Sequence, residues 1–308
     1  MANSPSSAQP LALLCGDPSG VGPEIIARWL AAPENRGNVV PVGPQSWLET
    51  LPVPGVAVGD KDYRIAPGRP DEAGQRVALA AMEVGAAGCR EGIFDAVVTG
   101  PVNKARLAAV GYPFPGQTEF FADRWGGDPV MAFAGGKLRV ALATWHIPLQ
   151  QVSSQISFAL LRRTVAAAVR LAVATGGKVP ARIGVCGLNP HAGENGLLGA
   201  EEIDRINPWL AEIRREFPGV SDCQPGDTIF WRHLRGEFDA VVALYHDQGL
   251  APLKTLEFEQ SVNLTLGLPF VRTSPDHGTA YALAGKNTAS LTSWNNAVRL
   301  AHVLSGSL

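Results

Sequence analysis

Three of the six histidines close apolar runs in the same way. His146 follows Val-Ala-Leu-Ala-Thr-Trp, His191 follows Ile-Gly-Val-Cys-Gly-Leu-Asn-Pro, and His246 follows Val-Val-Ala-Leu-Tyr. Neutral imidazole is the commonest metal ligand, and three imidazoles around a cation with an open position make a catalytic arrangement. Parallel strands bring their C-terminal ends to one edge of a sheet, so residues 45 and 55 positions apart (191 − 146 and 246 − 191) can converge there. The other reading makes each histidine a hydrogen-bonding loop residue, and spacing alone leaves both open. Asp247 adjoins His246 and suits either orienting its imidazole or taking a proton. His233, among Trp231, Arg232 and Arg235, reads as a surface or packing residue, and His302 as an ordinary helix residue.

Anion handles follow. Lys254, Asn263 and Arg272 lie downstream of His246-Asp-Gln-Gly. Two cations and an amide can hold a phosphate or carboxylate, or they can be surface groups. Gln117-Thr118-Glu119 follows Pro-Gly, where Thr118 suits a helix N-cap or a ligand contact. Ser274-Pro-Asp276-His277-Gly278-Thr-Ala280 reads as a polar turn opening a helix, with or without a ligand. Gly16-Asp-Pro-Ser-Gly-Val-Gly-Pro23 lacks the third glycine of a dinucleotide fingerprint and the Gly-Lys-Ser/Thr end of a P-loop. Its glycines serve a tight strand-to-helix turn, or the helix start receives an anion.

The elements that must position these residues alternate. Apolar runs at Leu11–Cys15, Val39–Val42, Asp95–Thr99, Arg182–Cys186 and Asp239–Tyr245 read as strands. Val130–Ala134 and Leu138–Thr144 flank Gly135-Gly136 as a hairpin. Helical patterns cover Glu24–Ala31, Asp71–Cys89, Lys104–Val110, Ser157–Ala174, Glu201–Phe217 and Ser293–Leu304. This alternation argues for an α/β fold with a largely parallel sheet, its ligands at the strand ends.

Composition narrows the function. The 308 residues are 46% hydrophobic and 18% charged, enough for a buried core and too apolar for disorder. Net charge is −2 and no long Lys/Arg run occurs, which disfavours nucleic acid and anionic membranes as partners. No stretch reaches the length of an apolar span, and the first ten residues read as a loose tail rather than a secretory leader. Cys15, Cys89, Cys186 and Cys223 form no CxxC pair, which fits a reducing, cytoplasmic setting, and Cys15 and Cys186 read as small buried hydrophobes.

Taken together and in order, six segments resemble the 4-hydroxythreonine-4-phosphate dehydrogenases of pyridoxal phosphate biosynthesis. They are Gly16-Asp-Pro-Ser-Gly-Val-Gly-Pro-Glu-Ile25, Thr99-Gly-Pro-Val-Asn-Lys104, Pro115-Gly-Gln-Thr-Glu119, Leu188-Asn-Pro-His-Ala-Gly-Glu194, Tyr245-His-Asp-Gln-Gly249 and Arg272-Thr-Ser-Pro-Asp-His-Gly-Thr-Ala280. The resemblance runs from about residue 11 to the last helix.

It implies two α/β/α domains with a cleft between them, like isocitrate and isopropylmalate dehydrogenases. The expected division is 1–118 plus 256–308 against 119–255. It also implies one divalent metal (zinc, cobalt or magnesium) on His146, His191 and His246, shared across a homodimer interface. Substrate contacts fall on Gln117, Thr118, Lys254, Asn263 and Arg272. NAD or NADP is expected near Asp276, His277 and Gly278. The implied reaction is metal-assisted oxidation of 4-phosphooxy-L-threonine followed by decarboxylation, with Asp247 in an orienting or basic role. Competing readings are a dehydrogenase of a phosphorylated sugar acid or a carboxylated dihydrodiol and, from another class, a metal-dependent hydrolase or transferase. The chain departs from the family's usual pattern at Gln117, where His is common, and at Ala282 and Asn287, where Asp and Gly are usual.

Overall fold

The computed structural model describes residues 8–306, so residues 1–7 of the tail read from the sequence lie outside it. The chain divides into two compact units. One runs to Gly127 and takes in Leu268–Gly306; the other is Asp128–Gly267. Both crossings occur at glycines with positive φ, +99° at Gly127 and +78° at Gly267, a conformation that side chains resist.

In the first unit, β1 (Leu11–Leu14), β2 (Val39–Gly43), β3 (Val56–Ala57) and β4 (Ala96–Thr99) are joined by the late β11 (Val271–Pro275). Their order is β3-β2-β1-β4-β11, all parallel. Every residue of β1, β4 and β11 is buried. A strand buried on both faces must be covered on both, and helices such as Glu72–Arg90 and Thr292–Ser305 supply the cover. Trp294, Met82 and Leu107 are among the buried residues of this core.

The second unit holds β5 (Val130–Ala134), β6 (Val140–Leu142), β7 (Ile183–Cys186), β8 (Val220–Gln224), β9 (Ala240–Ala243) and β10 (Val262–Leu266). The order is β10-β5-β6-β9-β7-β8. β5 pairs antiparallel with β6 and β10, as the Gly135-Gly136 hairpin predicts, and β6, β9, β7 and β8 are mutually parallel. Thus β6, β9 and β7 present their C-terminal ends on one edge. Met131, Phe133, Leu138, Val140, Leu142, Phe230 and Leu250 pack the core between this sheet and its helices.

Some expectations need correcting. The helix expected over Glu201–Phe217 is continuous from Glu201 to Ile213, with a π-helical turn at Glu202–Ile206, and ends four residues earlier. The Ser274–Ala280 turn does not open a helix; turns continue until Thr292. Thr118 is not an N-cap, because the helix Gln117–Trp125 starts one residue earlier, with Gly116 in the N-cap position and no side-chain cap. His233 is a packing residue, 4% exposed. All four cysteines are buried and unbridged, and burial raises the Cys89 thiol to about 12. Among the described residues, no helix is long and apolar enough to cross a membrane.

Candidate active site

The parallel ladder of the second unit sets the histidine edge. Ala143 N–H donates to Ala243 O (2.8 Å), and both the N–H (3.2 Å) and hydroxyl (2.7 Å) of Thr144 donate to Leu244 O. The ends of β6 and β9 are thereby locked in register two residues short of each histidine. The His146 and His246 rings lie 5.6 Å apart, centre to centre. Two imidazoles bound through nitrogen to one tetrahedral cation, at ~2 Å each, place their ring centres ~5 Å apart, so the pair has the spacing of two ligands. His246 Nδ1–H donates to Asp247 Oδ1 at 2.7 Å, which fixes the tautomer with the Nε2 lone pair outward. A carboxylate behind an imidazole is the usual support of a metal ligand, so the donor set fits a divalent cation.

His191 lies beyond β7 in a turn of unusual backbone. From His191 to Asn195 every φ is positive, between +44° and +83°, and Gly196 continues at +91°. The His191 side chain is 62% exposed, with Nδ1 3.6 Å from Glu194 Oε2. It lines a cavity of about 550 Å³ together with Asn189, Tyr245, Asp247 and Gln248. A second cavity, of about 380 Å³, is lined by His146, His246 and the same Asp247. Within one chain His191 does not join the other two: among the described residues, no three His, Cys, Asp or Glu side chains gather into a metal-holding group.

The first unit carries a different chemistry. Arg272, on β11 opposite Val97, is 5% exposed. Its Nε–H donates to Thr99 Oγ1 (3.0 Å), and its terminal nitrogen donates to Ser274 Oγ (2.7 Å) and Gln117 Oε1 (3.2 Å). These three oxygens are neutral; burial lowers the guanidinium to about 10, while Tyr112, Glu119 and Asp276 oppose the shift, so it stays charged at neutral pH. Gln117 and the buried Thr118 open the helix Gln117–Trp125, whose first N–H groups no side chain caps. A desolvated guanidinium tied to the first residue of an uncapped helix suits a phosphate. Lys254, in the helix His246–Glu257, and Asn263, on β10 opposite Phe133, belong to the second unit.

The glycines of 16–22 serve close packing. A Cβ on Gly16 would meet Gly100 C at 2.5 Å, on Gly22 Cys15 O at 2.2 Å, and on Gly20 Thr279 O at 2.7 Å. Val21 N–H donates to Thr279 O (2.9 Å), and Tyr281 Oη–H to the buried Asp17 (2.5 Å), so this loop and the 276–285 turn are stitched together. In that turn Asp276 N–H donates to Ser293 Oγ (3.3 Å), His277 Nδ1 to Gly278 O (3.0 Å), and Gly278 has open space where a Cβ would stand. Open backbone beside the uncapped helix start at Gly22 is compatible with a dinucleotide. Asn287 holds φ +54°, a region Asn tolerates better than most residues.

Thr99 and Gln248 take part as well, although neither stands out in the sequence as a candidate. Gln248 accepts from Leu244 N–H (2.7 Å) and donates to Gly187 O (2.7 Å), bridging the ends of β9 and β7. The signal for Thr99 and Gln248 is their place in the segments Thr99–Lys104 and Tyr245–Gly249. Lys104 is a further such residue: its Nζ lies 3.6 Å from where a Cβ on Gly116 would stand.

Residues 31–301 match the family model described as pyridoxal phosphate biosynthetic protein PdxA. A 4-hydroxythreonine-4-phosphate dehydrogenase of Zymomonas mobilis is 40% identical, covering 91% of each chain. The crystal structure of a 4-hydroxythreonine-4-phosphate dehydrogenase from Klebsiella pneumoniae superposes with a TM-score of 0.82 at 33% identity, covering 97% of this chain and 100% of that one. A terephthalate 1,2-cis-dihydrodiol dehydrogenase from Burkholderia xenovorans superposes at 0.73 with 27% identity, covering 97% and 99%.

Proposed function

The chain belongs to the PdxA family of pyridoxal phosphate biosynthetic proteins, and from that membership we propose that it is an NAD- or NADP-dependent 4-hydroxythreonine-4-phosphate dehydrogenase. The substrate, 4-phosphooxy-L-threonine, is oxidised to 2-amino-3-oxo-4-phosphooxybutanoate, which loses carbon dioxide to give 3-amino-2-oxopropyl phosphate. The observation that carries this reading is the buried Arg272 guanidinium, bonded to Thr99, Ser274 and Gln117 beside an uncapped helix start. A buried guanidinium beside the start of a helix suits a phosphoryl group, one of the two anionic groups that this substrate carries.

Arg272, Gln117 and Thr118 would bind the phosphate and so fix the reacting carbon, and Lys254 and Asn263 are further candidate substrate contacts. His146 and His246 would hold a divalent cation (zinc, cobalt or magnesium), with His191 supplied by a second copy of the chain in a homodimer; the exposure of His191 and the spacing of the other two support this. When bound, the cation supplies Lewis acidity toward the alcohol, and the nicotinamide accepts its hydride. Asp247 holds the His246 tautomer. Asp276, His277 and Gly278 would contact the dinucleotide. Four buried thiols and the family's biosynthetic role support a cytoplasmic enzyme.

The test is formation of reduced nicotinamide from 4-phosphooxy-L-threonine, with threonate and erythronate 4-phosphates as competitors, before and after chelation. Turnover of the aminated substrate that stops in chelator and returns with metal supports the proposal. Preference for a sugar-acid phosphate, or no reduced cofactor with any of them, overturns it.

A further inference from the structure

A left-handed helical turn is a rare object in a chain of L-residues, because each Cβ crowds the carbonyl that follows. Here five consecutive residues, His191 to Asn195, adopt it, and four of them are not glycine. Such a turn persists only where its surroundings over-determine it. The structure shows what does so.

Glu202 is fully buried, with 0% exposure. Both of its carboxylate oxygens accept from one residue: Oε1 from Asn189 N–H (2.8 Å) and Oε2 from Asn189 Nδ2 (2.9 Å). Asn189 stands two residues before His191, and its own carbonyl accepts from Ala192 N–H (3.1 Å), closing the turn. Space around the clamp admits no side chain. A Cβ on Gly193 would come within 2.9 Å of Glu202 Oε2, and a Cβ on Gly199 within 2.3 Å of Asn189 Nδ2. Glu202 itself begins the π-helical turn Glu202–Ile206, a widened backbone that often marks functional sites. A buried carboxylate whose recorded partners are amide groups alone is a poor stability device, since an apolar side chain would fill the space at less desolvation cost. What it provides is direction: two bonds to one residue fix where the backbone enters the turn.

We propose that Asn189 and Glu202 are positioning residues that aim the His191 imidazole by holding the left-handed turn in place. The proposal rests on the reading of His191 as a metal ligand, and goes beyond it by assigning the residues that make the ligand competent. Glu202 acts through Asn189 and the backbone, not by touching the metal.

The test is calorimetric titration of the metal-free full-length protein with Co2+, alongside the visible spectrum of the bound cobalt and thermal unfolding. His191→Ala sets the scale. Glu202→Ala is expected to weaken Co2+ binding by about 10- to 100-fold, the range found for residues that support metal ligands. Glu202→Gln keeps the volume and one acceptor, and is expected to lose less and to bind with a cobalt spectrum closer to that of the unchanged protein. Saturating Co2+ should restore most of the turnover of both variants. Should Glu202→Ala fail to fold, Glu202→Gln and Asn189→Ala carry the test. Variants that lower the melting temperature while binding Co2+ within about 3-fold of the unchanged protein overturn the positioning role. If instead His191→Ala binds Co2+ as tightly as the unchanged protein, the metal reading falls, and this proposal with it.

Discussion

Asp247 Oδ1 accepts from His246 Nδ1–H at 2.7 Å, while the Asp247 side chain stays 87% exposed. A carboxylate in this position either orients the imidazole or takes a proton during turnover, and the two roles separate experimentally. An orienting role predicts that Asp247→Ala weakens metal binding by about 10-fold or more and that excess metal restores kcat. Asp247→Asn still offers an acceptor oxygen and should lose less. A basic role would lower kcat by about 100- to 10,000-fold at any metal concentration. The geometry favours the first outcome, and cobalt titration combined with steady-state kinetics distinguishes them.

Arg272 should anchor the substrate rather than take part in the chemistry. Replacing it with Ala removes charge-assisted bonds worth ~3 kcal/mol, so KM for the phosphorylated substrate should rise by about 100-fold. Arg272→Met retains most of the buried volume and leaves Thr99, Ser274 and Gln117 to repair their own bonds. It should recover thermal stability but not KM. An unchanged KM in both variants would remove Arg272 from the anchor.

The strands most legible in the sequence are those that mainly pack. β1, β4, β7 and β9 are apolar apart from Thr99 at the end of β4, buried at every position, and their patterns are plain. β10 and β11 escaped notice because Val-Asn-Leu-Thr-Leu and Val-Arg-Thr-Ser-Pro carry polar residues in buried strands. Those same residues, Asn263 and Arg272, are candidates for binding, so chemistry hid the element that carries it. The helix His246–Glu257 was concealed by Gly249 and Pro252, residues that ordinarily break helices. The three strand-end histidines were legible as a set. The left-handed turn beneath His191 was not, because it depends on Glu202, which lies outside the loop it shapes.

Gly249 is in that helix for contact. A Cβ there would stand 2.8 Å from Leu142 Cδ2, 2.9 Å from Val140 Cγ1 and 3.0 Å from Ala243 Cβ. Gly249→Ala gains ~1 kcal/mol of helix propensity but overpacks the sheet at a cost of about 1–3 kcal/mol. Packing should prevail, leaving a net loss of about 1 kcal/mol. The first turn of the same helix holds His246, so pushing it off β6 and β9 should also weaken cobalt binding. Chemical denaturation and cobalt titration of the one variant read both effects.

His233 couples stability to pH. Arg139 N–H donates to its Nε2 (3.1 Å), and its Nδ1–H donates to Phe238 O (2.8 Å), so both ring nitrogens are committed in the neutral form. Protonation would turn the acceptor into a donor facing a donor. Burial pushes the imidazole below its usual value; Arg139 adds to this, while the Phe238 carbonyl, Glu257 and Asp239 oppose it. The folded-state value therefore lies under the unfolded one of about 6.5. The contribution is whole above that pH and declines as pH falls toward and through the folded-state value, because the unfolded chain takes up a proton that the folded chain refuses. His233→Gln keeps one acceptor and one donor but does not titrate. Unfolding free energies measured from neutral to mildly acidic pH should fall more steeply for the unchanged protein than for this variant. Parallel slopes would show that His233 is not the group responsible.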